Sequence, residues 1–320
     1  MENIKTVYCF GDCNVDMMIP VDALPVCGGC CFSNRCMTGA GGSMLNTATA
    51  LHRLGISVMP ITKIGNDFFG KTILDYFAKQ NICTDGILKS DDMPTGMVMG
   101  LVESGRGEKY WVSVRLNAAD IHIKHDEITG YPIPDILFIT GVELTEGKES
   151  RETAIAYANK THSAGGRVYL DPNIRVPQWV MPDDVKDAFR RIMYSVDVLL
   201  ANEKELCMIG ENSSVKEAAH NVIQQGAASV WVKLGENGCR YISETENLYF
   251  NPIPIKAVDT SGAGDAFNGA IIYAEMHHFS KEQTGRFANM FAGYTVQHLG
   301  TAAALPSNET ILTMVRHITV

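Results

Sequence analysis

Short strand-like apolar runs alternate with longer amphipathic helical stretches along most of this 320-residue chain. That alternation constrains the fold more than any motif. The strand-like runs are Thr6–Phe10, Ser57–Ile64, Asp135–Thr140, Arg167–Leu170, Asp197–Ala201 and Val230–Leu234. Helical periodicity covers Ser43–Leu54, Gly70–Gln80, Ser150–Ala164, Asp184–Met193, Val215–Gln225, Gly264–Met276 and Lys281–His298. Such a repeat buries both faces of a mostly parallel sheet, so a three-layer αβα fold is expected. Ligands of such sheets sit beyond the carboxyl ends of the strands. Gly11, Asp171, Asn202 and Gly235 follow strand ends and fall on that edge. Met17–Thr38 and Met93–Asn117 break the alternation and read as extended. They predict a small β-sheet inserted in a single domain, 1–320, serving as a lid or an oligomer surface.

Composition narrows the function classes. The net charge of −9, without runs of one sign, argues against a nucleic-acid surface. No apolar run is long enough to span a bilayer, and Met1–Thr6 lacks the features of a signal peptide, so a soluble cytoplasmic protein is expected. Nine cysteines without secretory context suggest free thiols. Cys27 and Cys30 have half the spacing of a zinc knuckle, but Cys31 and Cys36 do not complete it. Buried or half-buried thiols in a strand are expected there instead.

The stretch Asp259-Thr260-Ser261-Gly262-Ala263-Gly264-Asp265 leads into an apolar helical segment. Small residues at a helix N-terminus allow an anion to approach unpaired N–H groups, where the helix dipole favours negative charge. A carboxylate would repel that anion, so Asp265 needs a reason. The simplest is a base that takes a proton from a hydroxyl as a phosphoryl group arrives.

Other motifs carry two readings each. Asn14 and Asp16 alternate after a strand end and either share a cleft that binds sugar-like hydroxyls or are ordinary solvated turn residues. Thr38–Asn46 is either a close-approach loop, with Asn46 reaching the same ligand, or a connection capped by Ser43. Met44 stands where a dinucleotide fingerprint needs Gly. Gly65-Asn66-Asp67-Phe68-Phe69-Gly70-Lys71-Thr72 satisfies the P-loop pattern, although Asp67 and two bulky rings suit a phosphate nest poorly. Asn202 and Glu205 share a helical face and suit either a hydrated Mg²⁺ or a capping box. Lys233–Gly238 is a plain turn or one over which a nucleotide passes. Phe287-Ala288-Asn289 and Gly300-Thr301-Ala302 follow.

In this order the motifs resemble the ribokinase-like carbohydrate kinase family (the phosphofructokinase B family) over nearly the whole chain. Asp259–Gly269 fits its second signature, Gly41-Gly42 with Asn46 its first, Gly65-Asn66-Asp67 with Gly70 a family turn, and Asn202 with Glu205 its N-x-x-E motif. The resemblance implies a ribokinase-like sheet with a small β lid and ATP-dependent phosphorylation of a primary hydroxyl. Asp265 would be the base, and the N–H groups of Gly262, Ala263 and Gly264 the anion hole. Asn14, Asp16, Gly42, Asn46 and Glu143 match sugar-contacting positions. Asn202, Lys233, Gly235, Gly238 and Asn289 match nucleotide-side positions, with Asn202 and Glu205 organising Mg²⁺ through water. Asp259 and Ser261 match part of a monovalent-cation loop, for K⁺, whose far side carries Ala304. Arg115–Asp120, and Asp171–Arg175 with Trp179, are similar to fructokinases and 2-keto-3-deoxygluconate kinases. Arg115 is therefore a further expected substrate contact. Ser43 is also seen in nucleoside kinases. Lid strands often pair between subunits in this family, which implies a homodimer. The readings from other classes are a P-loop NTPase using Gly65–Thr72 and a non-catalytic sugar-responsive regulator.

Overall fold

The computed structural model describes residues 5–103, 109–298, 300–301 and 304–319. Ala302 and the middle of the second predicted insert, 104–108, lie outside them. The strands are β1 (Val7–Phe10), β2 (Asn14–Val21), β3 (Met37–Gly41), β4 (Val58–Gly65), β5 (Ile87–Ser90), β6 (Gly96–Glu103), β7 (Lys109–Val114), β8 (Ile136–Thr140), β9 (Arg167–Asp171), β10 (Val198–Asn202), β11 (Ser229–Lys233), β12 (Cys239–Ser243) and β13 (Asn247–Phe250). The helices are α1 (Ser43–Arg53), α2 (Phe68–Gln80), α3 (His125–Ile128), α4 (Val142–Glu146), α5 (Lys148–Ser163), α6 (Asp183–Met193), α7 (Glu203–Ile209), α8 (Val215–Gln224), α9 (Ala263–Met276), α10 (Lys281–Thr295) and α11 (Asn308–Thr319).

Nine strands form one sheet in the order β13-β12-β11-β10-β9-β8-β1-β4-β5. It is parallel except for β12 and β13, which extend β11 as an antiparallel edge. Period-two alternation sends Cys9, Phe138, Tyr169, Leu200 and Trp231 into one apolar core, with Phe267, Phe287 and Phe291 of α9 and α10. Phe10, Leu137, Leu170, Leu199 and Val232 enter the other, with Ala158, Phe189 and Val222 of α5, α6 and α8. The expected three layers are thus present, and each predicted strand and helix is found within a few residues of its range. The antiparallel edge, β5 and α11 were not predicted. β12 and β13 are short and partly polar, so they lack the apolar run that marked the buried strands.

Both alternation-breaking segments enter a second, four-stranded sheet in the order β3-β2-β6-β7. It begins earlier than Met17, because β2 starts at Asn14. The cysteine-rich segment is not a strand. It is the loop from β2 to β3, and Cys27, Cys30 and Cys36 are exposed on it. The turn-forming Gly28-Gly29, closed by a Gly29 N–H bond to the Val26 carbonyl at 2.8 Å, interrupts any extended run. Among the described residues no helix is long and apolar enough to cross a membrane.

Candidate active site

α9 begins beyond the carboxyl edge of the large sheet. Gly262 precedes it with φ 74°, a left-handed conformation in which a side chain would be strained. Asp265 falls in the first turn, half-buried. Its carboxylate accepts hydrogen bonds from Ser43 Oγ at 2.6 Å and Asn46 Nδ2 at 2.8 Å, both from the first turns of α1. Burial pushes the Asp265 carboxyl up to about 6 and the nearby Asp171 adds to this, whereas the Ser43 and Asn46 bonds and Lys233 oppose it. Loss of the Ser43 bond should raise it further. If Asp265 must be ionised to act, Ser43→Ala should move the acid limb of a kcat–pH profile to higher pH. An unmoved limb would refute this.

Ser43 does not cap α1. Gly42 holds the cap position at φ 107°, and the N–H groups of Ser43 and Met44 are taken by Asp12 at 2.9 and 3.1 Å. A Cβ on Gly42 would lie 2.5 Å from the Asp12 carbonyl oxygen, so this crossing requires glycine. Asp12 was not foreseen. Its only sequence signal was its place directly after a strand end.

Asp265 lines a cavity of about 1000 Å³. Gly262, Ala263 and Gly264 share its wall with Asn202, Glu205 and Lys233. Gly235, Gly238 and Asn289 line the same cavity. Pro252, Ile253, Ile255 and Val296 add an apolar side that the sequence did not announce. Of the three expected anion-hole donors, Ala263 N–H is already bonded to the Thr260 carbonyl at 3.3 Å. Asn202 and Glu205 form the capping box of α7, with bonds of 2.9 and 3.1 Å, while also facing the cavity. Burial, and then the charge of Asp171, raise the Glu205 carboxyl. Lys233 Nζ bonds Asp171 at 2.8 Å and Asn268 Oδ1 at 3.0 Å, which fixes the ammonium on the cavity floor below Gly264. Asn289 spends its amide on the carbonyls of Phe250 and Asn251.

The sugar-side residues divide. Asn14 Nδ2 bonds Asp16 at 2.7 Å, and Asp16 is pushed up to about 6, chiefly by burial. Arg115 is not open to a ligand. It is 4% exposed and ion-paired with Asp120 and Glu146 at 2.8 Å each, and its remaining arm holds Asn14 Oδ1 at 3.2 Å. Arg175, by contrast, is exposed on the cavity wall. Glu143 is fully buried and absent from that wall, and among the described residues neither of its carboxyl oxygens has a hydrogen-bond partner. Arg115 and Glu143 are thus both buried and outside the cavity lining. Burial, then the charge of Asp120, hold the Glu143 carboxyl well above its ordinary 4.5. The folded state therefore binds a proton that the unfolded state releases, and stability falls as pH rises above that ordinary value. Glu143→Gln should raise the melting temperature more at about pH 8 than at about pH 5. An equal shift at both would contradict this.

Asp259 does not face the cavity. Its carboxylate accepts from the Ser261 and Gly300 N–H groups at 3.0 and 3.2 Å and ties the loop before α9 to the chain beyond α10. The buried Ala304 offers no side-chain oxygen. The P-loop look-alike is occupied by its own chain. Asp67 caps α2 through Gly70 N–H at 2.8 Å and holds Thr95 N–H at 2.8 Å. Lys71 points to solvent and pairs with Asp75 at 3.0 Å.

A wide parallel sheet joined to a small second sheet, with a helix N-terminus and its carboxylate on the cavity wall, defines the ribokinase-like class. The fructokinase with bound ATP from Xylella fastidiosa superposes with a TM-score of 0.85 over 99% of this chain and 100% of its own, at 22% identity. The chain belongs to the pfkB family of carbohydrate kinases, whose family model matches residues 5–308, and carbohydrate kinase is its activity. It is 26% identical to probable fructokinase-2 of Arabidopsis thaliana over 318 residues, 96% of this chain and 94% of the relative. It is 25% identical to the 2-dehydro-3-deoxygluconokinase of Haemophilus influenzae over 276 residues, 81% of this chain and 87% of the relative.

Proposed function

We propose that this protein transfers the γ-phosphoryl group of ATP to a primary hydroxyl of a sugar or sugar acid, fructose-like or 2-keto-3-deoxygluconate-like, with Asp265 as the base. One observation carries the reading. Asp265 is a partly desolvated carboxylate held by two α1 side chains, beside a helix N-terminus, on the wall of a large cavity.

The cavity suits ATP. Its apolar side fits a flat base, while Lys233 and the start of α9 suit phosphates. Asn202 and Glu205 offer oxygen atoms to a hydrated Mg²⁺. The Xylella fastidiosa protein holds ATP, and a putative ribokinase II from E. coli holds ATP and Mg²⁺. When bound, ATP with Mg²⁺ would supply the phosphoryl group and neutralise part of its charge. Asp265 would accept the hydroxyl proton, and the N–H groups of Gly262 and Gly264 would stabilise charge developing on the phosphoryl oxygens. Asn46 Oδ1, buried without a partner among the described residues, leaves an acceptor for a substrate hydroxyl. Asp16 and Asn14 would fix the rest of the ring, with Arg115 acting on the sugar only through Asn14. A carboxylate on a sugar acid would meet Arg175. K⁺ beside Asp259 and Ser261 would be an accessory, since the Asp259 carboxylate already accepts two amides.

A coupled ADP-release assay over sugars, sugar acids and nucleosides tests the reading, and no turnover in any class would end it. A homodimer through the outer face of the small sheet fits the exposed Tyr110, Val112 and Val114. A monomer by light scattering would exclude it.

A further inference from the structure

Ser43 joins two carboxylates. Its hydroxyl donates to Asp265 at 2.6 Å and its backbone N–H donates to Asp12 at 2.9 Å. Met44 N–H adds a second bond to Asp12 at 3.1 Å. A helix start is ordinarily satisfied by a side chain at its own cap position. In α1 that position is Gly42, where a Cβ would run into the Asp12 carbonyl, so the acceptor comes from 31 residues earlier in the chain. The Asp12 carboxylate is itself held from behind. Thr140 Oγ1, at the end of β8, donates to it at 2.9 Å. Gly11 leaves room for that hydroxyl, since a Cβ there would lie 2.3 Å from it.

Asp12 is 4% exposed and is not on the cavity wall. Three donors and the positive end of α1 offset the cost of burying its charge. Charge-assisted bonds are stronger than those of a neutral cap, so they hold the helix start more stiffly. The two residues that follow set the sugar side. Cys13 N–H bonds Asp120 at 3.2 Å, and Arg115 holds Asn14 at 3.2 Å. Asp12, Cys13 and Asn14 therefore lock, in turn, the helix that grips the base, the buried ion pair and the first sugar-side residue.

We propose that Asp12 is a positioning residue for phosphoryl transfer, which anchors the first turn of α1 and so fixes, through Ser43 and Asn46, the direction of the Asp265 carboxylate relative to a sugar held at Asn14 and Asp16. This rests on the sugar kinase reading above and adds to it a residue that lies outside the cavity.

The test is a cycle of Asp12→Asn and Ser43→Ala, singly and together, with kcat followed against pH. In Asp12→Asn one acceptor oxygen becomes an amide that faces N–H groups, so the start of α1 shifts. The kcat should fall on the order of tenfold while the sugar KM changes far less, because the sugar side is held separately. The acid limb should rise by about one pH unit, as Ser43 and Asn46 support the ionised Asp265 less well. Removal of the Asp12 charge by itself would act the other way, lowering the carboxyls that feel it, Asp16 and Asp120. Asp171 and Lys233, which also face Asp265, are the same in both proteins. The double variant should move the limb by less than the sum of the single shifts. One readout needs no turnover. At about pH 8, Asp265→Asn should raise the melting temperature by about 2 °C more in the Asp12→Asn background than in the wild type. If Asp12→Asn does not fold, Thr140→Val, which loosens Asp12 from behind, should move the limb the same way by less. A limb that stays or falls, additive shifts, or equal melting gains in the two backgrounds overturn the proposal. No turnover of any sugar by the wild type strikes the kinase reading instead, and the melting comparison then decides the role of Asp12.

Discussion

Asp265→Asn is expected to keep the fold and nucleotide binding while lowering kcat by a factor on the order of 10²–10⁴. The amide can still accept from Asn46 and donate to Ser43, so the link between α9 and α1 survives. The lost element is the charge that accepts the proton. Its folded-state value, near 6 against an ordinary 3.8, means that ionised Asp265 weakens the fold at neutral pH. The variant should therefore melt no lower than the wild type, and an acid limb near pH 6 should disappear with the activity. Near-normal turnover with an intact fold would remove Asp265 from the role of base.

The second large effect concerns stability. Arg115→Ala should destabilise the protein by roughly 3–5 kcal/mol, because Asp120 and Glu146 would lose their buried counter-charge. A loss of that size should be evident as a clear fall in denaturation midpoint. A surface-contact role predicts the reverse, a raised KM for sugar with an unchanged midpoint. Denaturant titration alongside sugar kinetics separates the two. Released from Arg115, Asn14 should also lose its fixed orientation, so some KM increase accompanies the unfolding shift.

Where the sequence could be read and where it could not follows from range. The turn that starts α9 was legible because its parts are contiguous, from Gly262 to Asp265. Asn202 and Glu205 were legible as a pair for the same reason, and the structure makes them the capping box of α7 on the cavity wall. In the Gly65–Thr72 pattern, Asp67 and the two rings beside it already count against a phosphate nest, and the structure adds that Asp67 itself takes the Gly70 and Thr95 amides. The burial of Arg115 and Glu143 was not legible, because it depends on how the segments after β7 and β8 pack. The cysteine loop was misjudged because exposure is not written in spacing.

The three-layer sheet and the carboxylate in the first turn of α9 could be read from the chain alone. Both rest on periodicity and helix-end chemistry, which act over a few residues. It took folding to bring Ser43 and Asn46 onto that carboxylate from 222 and 219 residues away, Asp12 onto their helix end, and Asp171 and Asn268 onto Lys233. Those contacts join strand ends and helices that are distant in the chain. Their geometry is therefore set by strand order and packing, which no local pattern encodes.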